Sequence, residues 1–289
     1  MPGAAAAAAE VFGLANVTAI QTGTAPADFR DGANFAIISA TANNGTFFAG
    51  NGMNINPFSL DTQMLWFRTH LRQLAQAAAG PGHQQQLANA SAGAVLGGAL
   101  VALGEIGGND YNLAFLGGVP RDTVRRFVPA VVDKLAAAVE ELVAMGARAF
   151  VVPGNLPFGC APLYLRRFGG DPGYWDYDAS TGCLAWFNRF AEYHNRVLTA
   201  RLDRLRRRHP GVTIVYADWY GAMMSIFRAP RELGTCRAAP PAHQTHCSSD
   251  RATPPAARSA GPSGSGRGDG DGAPVGEARH LLSECLGTY

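Results

Sequence analysis

Apolar residues recur through the middle of the chain with two distinct periods. SLDTQMLWFRTHLRQLAQAAAG (59–80) places Met64, Phe67, Leu71 and Leu74 on one face of a helix, and Gly80 ends it. Over 122–146, Val128, Val132, Leu135, Val139 and Leu142 mark a second helix with Gly146 at its C-cap. A long helix over 183–211 turns Leu184, Phe187, Ala191, Leu198, Leu202 and Leu205 inward. Between them lie GALVALG (98–104), ARAFVVPG (147–154) and VTIVYAD (212–218). These continuous apolar runs are too short for helices and read as buried strands. Strands without polar alternation, interleaved with helices, predict an α/β fold whose parallel sheet is covered on both faces. Sites in such sheets gather at the carboxyl ends of the strands. LGEIGGNDYN (103–112) reads as a strand entering a tight loop there, with the Asn109 amide at its tip.

The two ends of the chain break this pattern. MPGAAAAAAEVFGL has no Lys or Arg before its apolar run and is interrupted by Glu10. It makes a poor signal peptide and a better helix fragment ending in Val11, Phe12 and Leu14. From Cys236 the chain turns to Pro, Gly, Ser, Ala and Arg with almost no large apolar residues. Such a segment cannot bury enough surface to offset its ordering entropy. The expected organisation is therefore one domain over 1–235 and a disordered tail over 236–289. EARHLLSECL (277–286) is the one stretch of that tail expected to form a last helical turn.

Composition narrows the function classes. The 289 residues are 47% hydrophobic, enough for one large core, and the net charge of +2 argues for neither nucleic acid nor a membrane surface as partner. Lys134 is the only lysine, and the arginines scatter rather than form a stripe. No apolar run reaches the roughly 20 residues that span a bilayer. Three sequons are present, at Asn16, Asn44 and Asn89, each weak alone. The five cysteines contain no CxxC and define neither a disulfide scaffold nor a zinc site. Cys160 and Cys183 flank a loop and are expected to pair in an oxidising compartment. Cys236, His243, His246 and Cys247 are good zinc-ligand types, but their spacing fits no metal motif. RGDGDG (267–272) lacks the oxygen ligand a calcium loop needs at its fifth position. No metal and no cofactor are expected.

The ordered middle of the chain resembles plant GDSL esterase/lipases, members of the SGNH hydrolase superfamily. The resemblance spans roughly Glu10 to Gly234. It rests on DFRDGANFAIISATA (28–42), INPFSLDTQMLWF (55–67), GEIGGNDYN (104–112), VVPGNLPFGCAPLYL (151–165), GCLAWFNRFAEYHN (182–195) and VTIVYADWYGAM (212–223). It implies a flavodoxin-like three-layer α/β/α fold, hydrolysis of carboxylic esters (small-molecule, lipid or polysaccharide), secretion and a monomer. It also gives Asn109 a role. The family's GxND motif supplies a side-chain amide to the oxyanion of the tetrahedral intermediate, and Gly107–Asp110 matches it. A second donor in the family is a backbone N–H at a glycine of the NFAxxGA segment; Ser39 stands there, and its Cβ crowds a place where backbone approaches substrate. Ser39 and Gly107 are thus the expected backbone contributors beside Asn109.

The departures from the family are equally specific. The family's nucleophile is the Ser of a GDS motif after the first strand, and no GDS occurs here. Its base is the His of a DxxH pair, and no Asp lies three residues before any of the seven histidines. Ser263 and Ser265 in GPSGSG read as linker, Asp218 as a helix-capping residue and His194 as a hydrogen-bonded core histidine. With no nucleophile and no base assigned, the chain is expected to be inactive as an esterase. A non-catalytic relative binding esters or glycans and a wrongly assembled gene model remain as alternatives. The expected fold lacks the family's first strand and its C-terminal catalytic block. An empty central strand position would leave unpaired backbone and exposed apolar surface, and so a destabilised chain.

Overall fold

The computed structural model describes residues 17–79, 93–171, 173, 176–230 and 281–283. Its strands are β1 (Thr18–Ala19), β2 (Gly32–Asn34), β3 (Leu100–Ala102), β4 (Ala149–Pro153), β5 (Thr213–Ala217) and β6 (Leu281–Ser283). They form one sheet in the order β1-β2-β6-β3-β4-β5, with every pairing parallel. Helices accompany it in the three-layer α/β/α manner: α1 (Gly45–Gly50), α2 (Leu60–Ala79), α3 (Gly108–Leu116), α4 (Arg121–Arg125), α5 (Val128–Ala144), α6 (Pro162–Phe168), α7 (Ala185–Arg208) and α8 (Trp219–Arg228).

The periodicity of the sequence has its counterpart in packing. Met64, Phe67 and Leu71 of α2 are buried, as are Val128, Val132, Leu135, Val139 and Leu142 of α5. Helix α5 packs against α7, whose Phe187, Ala191, Leu198, Leu202 and Leu205 are buried. An aromatic cluster from three segments joins this core: Tyr111 lies edge-on to Phe190 at 4.8 Å, Phe115 to Phe187 at 5.2 Å, and Tyr164 to Phe187 at 4.7 Å. Aromatic pairs in this geometry add about 0.5–1.5 kcal/mol each beyond area burial. The cluster seats α3, and with it Asn109, on the protein's interior.

Three expectations are corrected. The helix expected over 122–146 is two helices, because the ring of Pro129 clashes with the carbonyl four residues earlier and forces a new start at Val128. GGND is not a loop tip but the entry of α3: Gly107 is its N-cap and Asn109 lies in its first turn. The third correction concerns the empty central position. Leu281–Ser283 fill it as β6, pairing Gly32↔Leu281, Ala33↔Leu282 and Asn34↔Ser283 on one side, and Leu100↔Leu281 and Val101↔Leu282 on the other. The helical turn expected over 277–286 is a strand at these three residues, because two flanking parallel strands offer backbone partners that an isolated helical turn lacks. Residues 1–16, 80–92, 231–280 and 284–289 lie outside the described residues. With them go Asn16, Asn89, Ser263, Ser265, RGDGDG and the Cys236, His243, His246, Cys247 group.

Candidate functional site

Two loops at the carboxyl ends of β2 and β3 carry the expected site residues. These strands do not pair with each other, since β6 stands between them. Ser39 and Ala40 lie on the loop that follows β2, and Asn109 lies in the first turn of α3 after β3. The structure nevertheless brings the two together, because Asn109 Nδ2 donates to the Ala40 carbonyl at 3.0 Å.

A chain of hydrogen bonds settles which way the Asn109 amide faces. A backbone carbonyl only accepts, so Asn109 must present its nitrogen to Ala40. Its Oδ1 then faces Asn112, which donates through Nδ2 at 3.1 Å. Asn112 Oδ1 in turn accepts from the Tyr164 hydroxyl at 2.6 Å. Burial pushes the Tyr164 hydroxyl well above its ordinary pKa, so it keeps its proton and stays a donor. The carboxamide carries two N–H groups. Ala40 takes one, and the other has no acceptor among the described residues.

The β2 loop presents a second donor. Ser39 is exposed and holds φ +63°, the one non-glycine residue with positive φ among those described. The side chain at this position therefore costs backbone strain, of order 1–2 kcal/mol. The Ala40 N–H turns back to Ile37 O at 3.1 Å, whereas the Ser39 N–H has no acceptor among the described residues. Beside it Ile38 is 75% exposed, and Phe58 is 56% exposed on the segment that Thr41 ties down by Thr41 N–H to Phe58 O (2.9 Å) and Leu60 N–H to Thr41 O (2.8 Å). The donors thus sit beside apolar surface. Gly107 takes φ +104°, and a Cβ there would meet Val131 Cγ1 at 2.5 Å, so only glycine fits this close against α5.

A buried carboxylate links the two loops. Asp110, the residue after Asn109, is fully buried. Its Oδ2 accepts from Ala42 N–H at 2.7 Å, and its Oδ1 from Asn43 N–H at 3.0 Å and Asn43 Nδ2 at 2.8 Å. Burial raises its pKa to about 6, against the pull of these hydrogen bonds. Sequence reasoning assigned no role to Asp110, Asn112 or Tyr164. The signal available for Asp110 was an acidic residue in the first turn of a helix, where the dipole favours it.

The other chemistry-bearing residues have structural roles. His194 is buried, bonds Tyr111 Oη through Nδ1 at 2.7 Å, and is held neutral by desolvation, which lowers its pKa to about 3. Asp218 Oδ1 caps α8 by accepting from Gly221 N–H at 2.9 Å. Asn44 of the second sequon caps α1 and donates to Asp61 Oδ2 at 2.9 Å. Cys160 and Cys183 form a disulfide, with Cα atoms 4.5 Å apart. A cavity of about 810 Å³ lies between the 20–29 segment and α2, and none of Ser39, Gly107 or Asn109 lines it.

Comparison with known proteins identifies the family. Residues 6–234 match the family model described as GDSL-like Lipase/Acylhydrolase. The chain belongs to the GDSL lipase/acylhydrolase family. It is 37% identical over 208 residues to GDSL esterase/lipase At1g28600 of Arabidopsis thaliana, covering 72% of this chain and 50% of that protein. It is 38% identical over 213 residues to GDSL esterase/lipase At1g31550 of the same plant, covering 73% and 51%. The chain thus spans about half the length of the curated relatives it matches. Among the described residues no helix is long and apolar enough to cross a membrane.

Proposed function

We propose that this GDSL-family chain carries the oxyanion-binding half of a carboxylic ester hydrolase site and binds esters without turning them over. The observation that carries this reading is the Asn109 amide, oriented through Asn112 and Tyr164 so that its nitrogen faces the Ser39–Ala40 loop. Fixed donors aimed at a developing negative charge are usually the largest single contribution to such catalysis, and losing one costs roughly 3–4 kcal/mol of barrier. Turnover needs more. A serine hydroxyl becomes a nucleophile only beside a base. The sequence offers neither a GDS serine nor a DxxH histidine. His194, buried in the core and bonded to Tyr111, is held neutral away from solvent.

The test is a calorimetric titration with diethyl phosphate, a tetrahedral monoanion, run beside a p-nitrophenyl acetate assay. Saturable binding that Asn109→Ala weakens, with hydrolysis no faster than in that variant, is the expected result. Hydrolysis that falls in Asn109→Ala would show a working esterase instead. No binding and no hydrolysis would reject the reading.

A further inference from the structure

We infer that Asp110 is the positioning residue of this site: it holds the Ser39 loop and the Asn109 helix turn in one fixed relation, so that the two donors converge. The inference rests on the ester-site reading for its purpose, but its geometry stands alone. The two donors come from different strands. Ser39 follows β2, Asn109 follows β3, and no β2–β3 ladder locks their loops together. Beyond the shared partner β6, a direct link between the loops comes from side chains. The direct bond from Asn109 to Ala40 is a single neutral contact. Asp110 supplies three more, to Ala42 N–H, Asn43 N–H and Asn43 Nδ2, all onto one carboxylate.

The chemistry of the contact suits a clamp. Charge-assisted hydrogen bonds are shorter and stronger than neutral ones, and these run from 2.7 to 3.0 Å. Both carboxylate oxygens are used, so the carboxyl plane cannot rotate without breaking a bond. Asp110 is fully buried, so water cannot compete for the donors. It is also the immediate neighbour of Asn109 in the same helical turn, so any shift of its backbone moves Asn109 with it. From the other side the loop is fixed by Thr41, whose Oγ1 donates to Asn43 O at 2.5 Å. The clamped segment Ala42–Asn43 is only two residues past Ala40, too short a span for the donor loop to move independently.

A merely structural aspartate would lower stability without selective effect on the donors. The experiment therefore reads the donors themselves in ¹⁵N-labelled full-length chain. Asp110→Asn keeps the shape but puts an amino group against at least one N–H. The expected result has three parts: faster hydrogen exchange at Ala42 and Asn43, a shifted Asn109 side-chain NH₂ resonance, and diethyl phosphate affinity reduced about tenfold or more, as small misplacements at such sites cost. Amides of Asn155 and Gly159, on the far loop, stay as in the wild type. Asn43→Ala removes one of the three bonds and gives a smaller change in the same direction, which keeps the test readable if Asp110→Asn does not fold. Unchanged Asn109 resonances and unchanged Ala42 and Asn43 exchange in both variants would overturn the inference. A wild type that binds no diethyl phosphate, while both variants still release the Ala42 and Asn43 amides and shift Asn109, would uphold the clamp and reject the ester reading.

Discussion

Two buried clamps fasten loops to helices at the carboxyl edge of this sheet, and they differ in charge. At the β2/β3 end, Asp110 of α3 takes three donors from Ala42 and Asn43. At the β4 end, Asn195 of α7 accepts from Asn155 N–H at 2.7 Å and returns a bond from Nδ2 to Asn155 O at 3.0 Å. The neutral pair is reciprocal and secures one loop, after a strand that pairs directly with both neighbours. The charged clamp joins loops from two strands that touch only through β6. A carboxylate gathers donors on both of its terminal atoms, whereas a carboxamide accepts through its one oxygen only, and the carboxylate's cost is burial of a charge. The difference teaches that the chain accepts this cost where two separately anchored loops must meet.

The comparison breaks most sharply when a clamp is removed. Asp110→Ala leaves three donors without their acceptor, and at pH 7 it is expected to destabilise the chain by about 3–4 kcal/mol in urea denaturation, since each orphaned group costs about 1–3 kcal/mol. Loss below 1 kcal/mol would show that water or a relaxed loop replaces the carboxylate. The charge itself should be visible as pH dependence. Burial holds the Asp110 carboxyl at about 6, above the 3.8 of a free carboxyl. Between those values the native chain keeps a proton that the unfolded chain has released. Stability should therefore fall as pH rises from about 4 to about 6, by up to about 3 kcal/mol from this group, and level off above. Asp110→Asn should lack that slope, and an identical slope in the variant would place its origin elsewhere.

The neutral clamp gives the contrast. Asn195→Ala loses two bonds at one buried loop and is expected to cost about 2 kcal/mol, with a stability–pH profile parallel to the wild type. A sharper form of the comparison couples the clamps to the central strand. Leu282→Pro removes one backbone N–H from β6, so that the Asp110 contacts and the Asn109–Ala40 bond carry more of the link between the two loops. Its effect should be non-additive with Asp110→Asn by about 1 kcal/mol and additive with Asn195→Ala. Equal coupling to both clamps would contradict a special role for β6 between β2 and β3. The smallest effect is at Ser39. Glycine relieves its φ of +63°, so Ser39→Gly should stabilise the chain by about 0.5–1 kcal/mol. Destabilisation would mean that the serine hydroxyl makes a contact worth more than the strain.

Much of this architecture was legible in the sequence, and the misses have physical causes. Helices α2, α5 and α7 were readable because each buries a wide apolar stripe, and β3, β4 and β5 because parallel strands are apolar on both faces. Asn109 was identified through the GxND motif, and the Cys160–Cys183 pair through the loop it flanks. The break before α5 was written in Pro129, but the apolar period continues across it and masks it. The β6 strand was not legible. Leu281–Ser283 carry no periodic signal, and only the gap between two partner strands makes an extended conformation favourable there. Asp110 escaped notice because a charged residue reads as solvent-facing until its donors are known. Those donors lie 67 and 68 positions away in sequence. Asn188 and Asn195 were readable only as polar interruptions on the buried side of α7; they serve Gly159 N–H and Asn155 respectively.

The most direct test of the central claim is a crystal structure of the full chain soaked with diethyl phosphate. The account predicts one phosphoryl oxygen within about 3.2 Å of both Asn109 Nδ2 and the Ser39 nitrogen, with the Asp110 contacts to Ala42 and Asn43 intact. The ethyl groups should rest against the exposed Ile38 side. Ligand found only elsewhere, or an Asn109 amide turned so that Oδ1 faces the ligand, would contradict it.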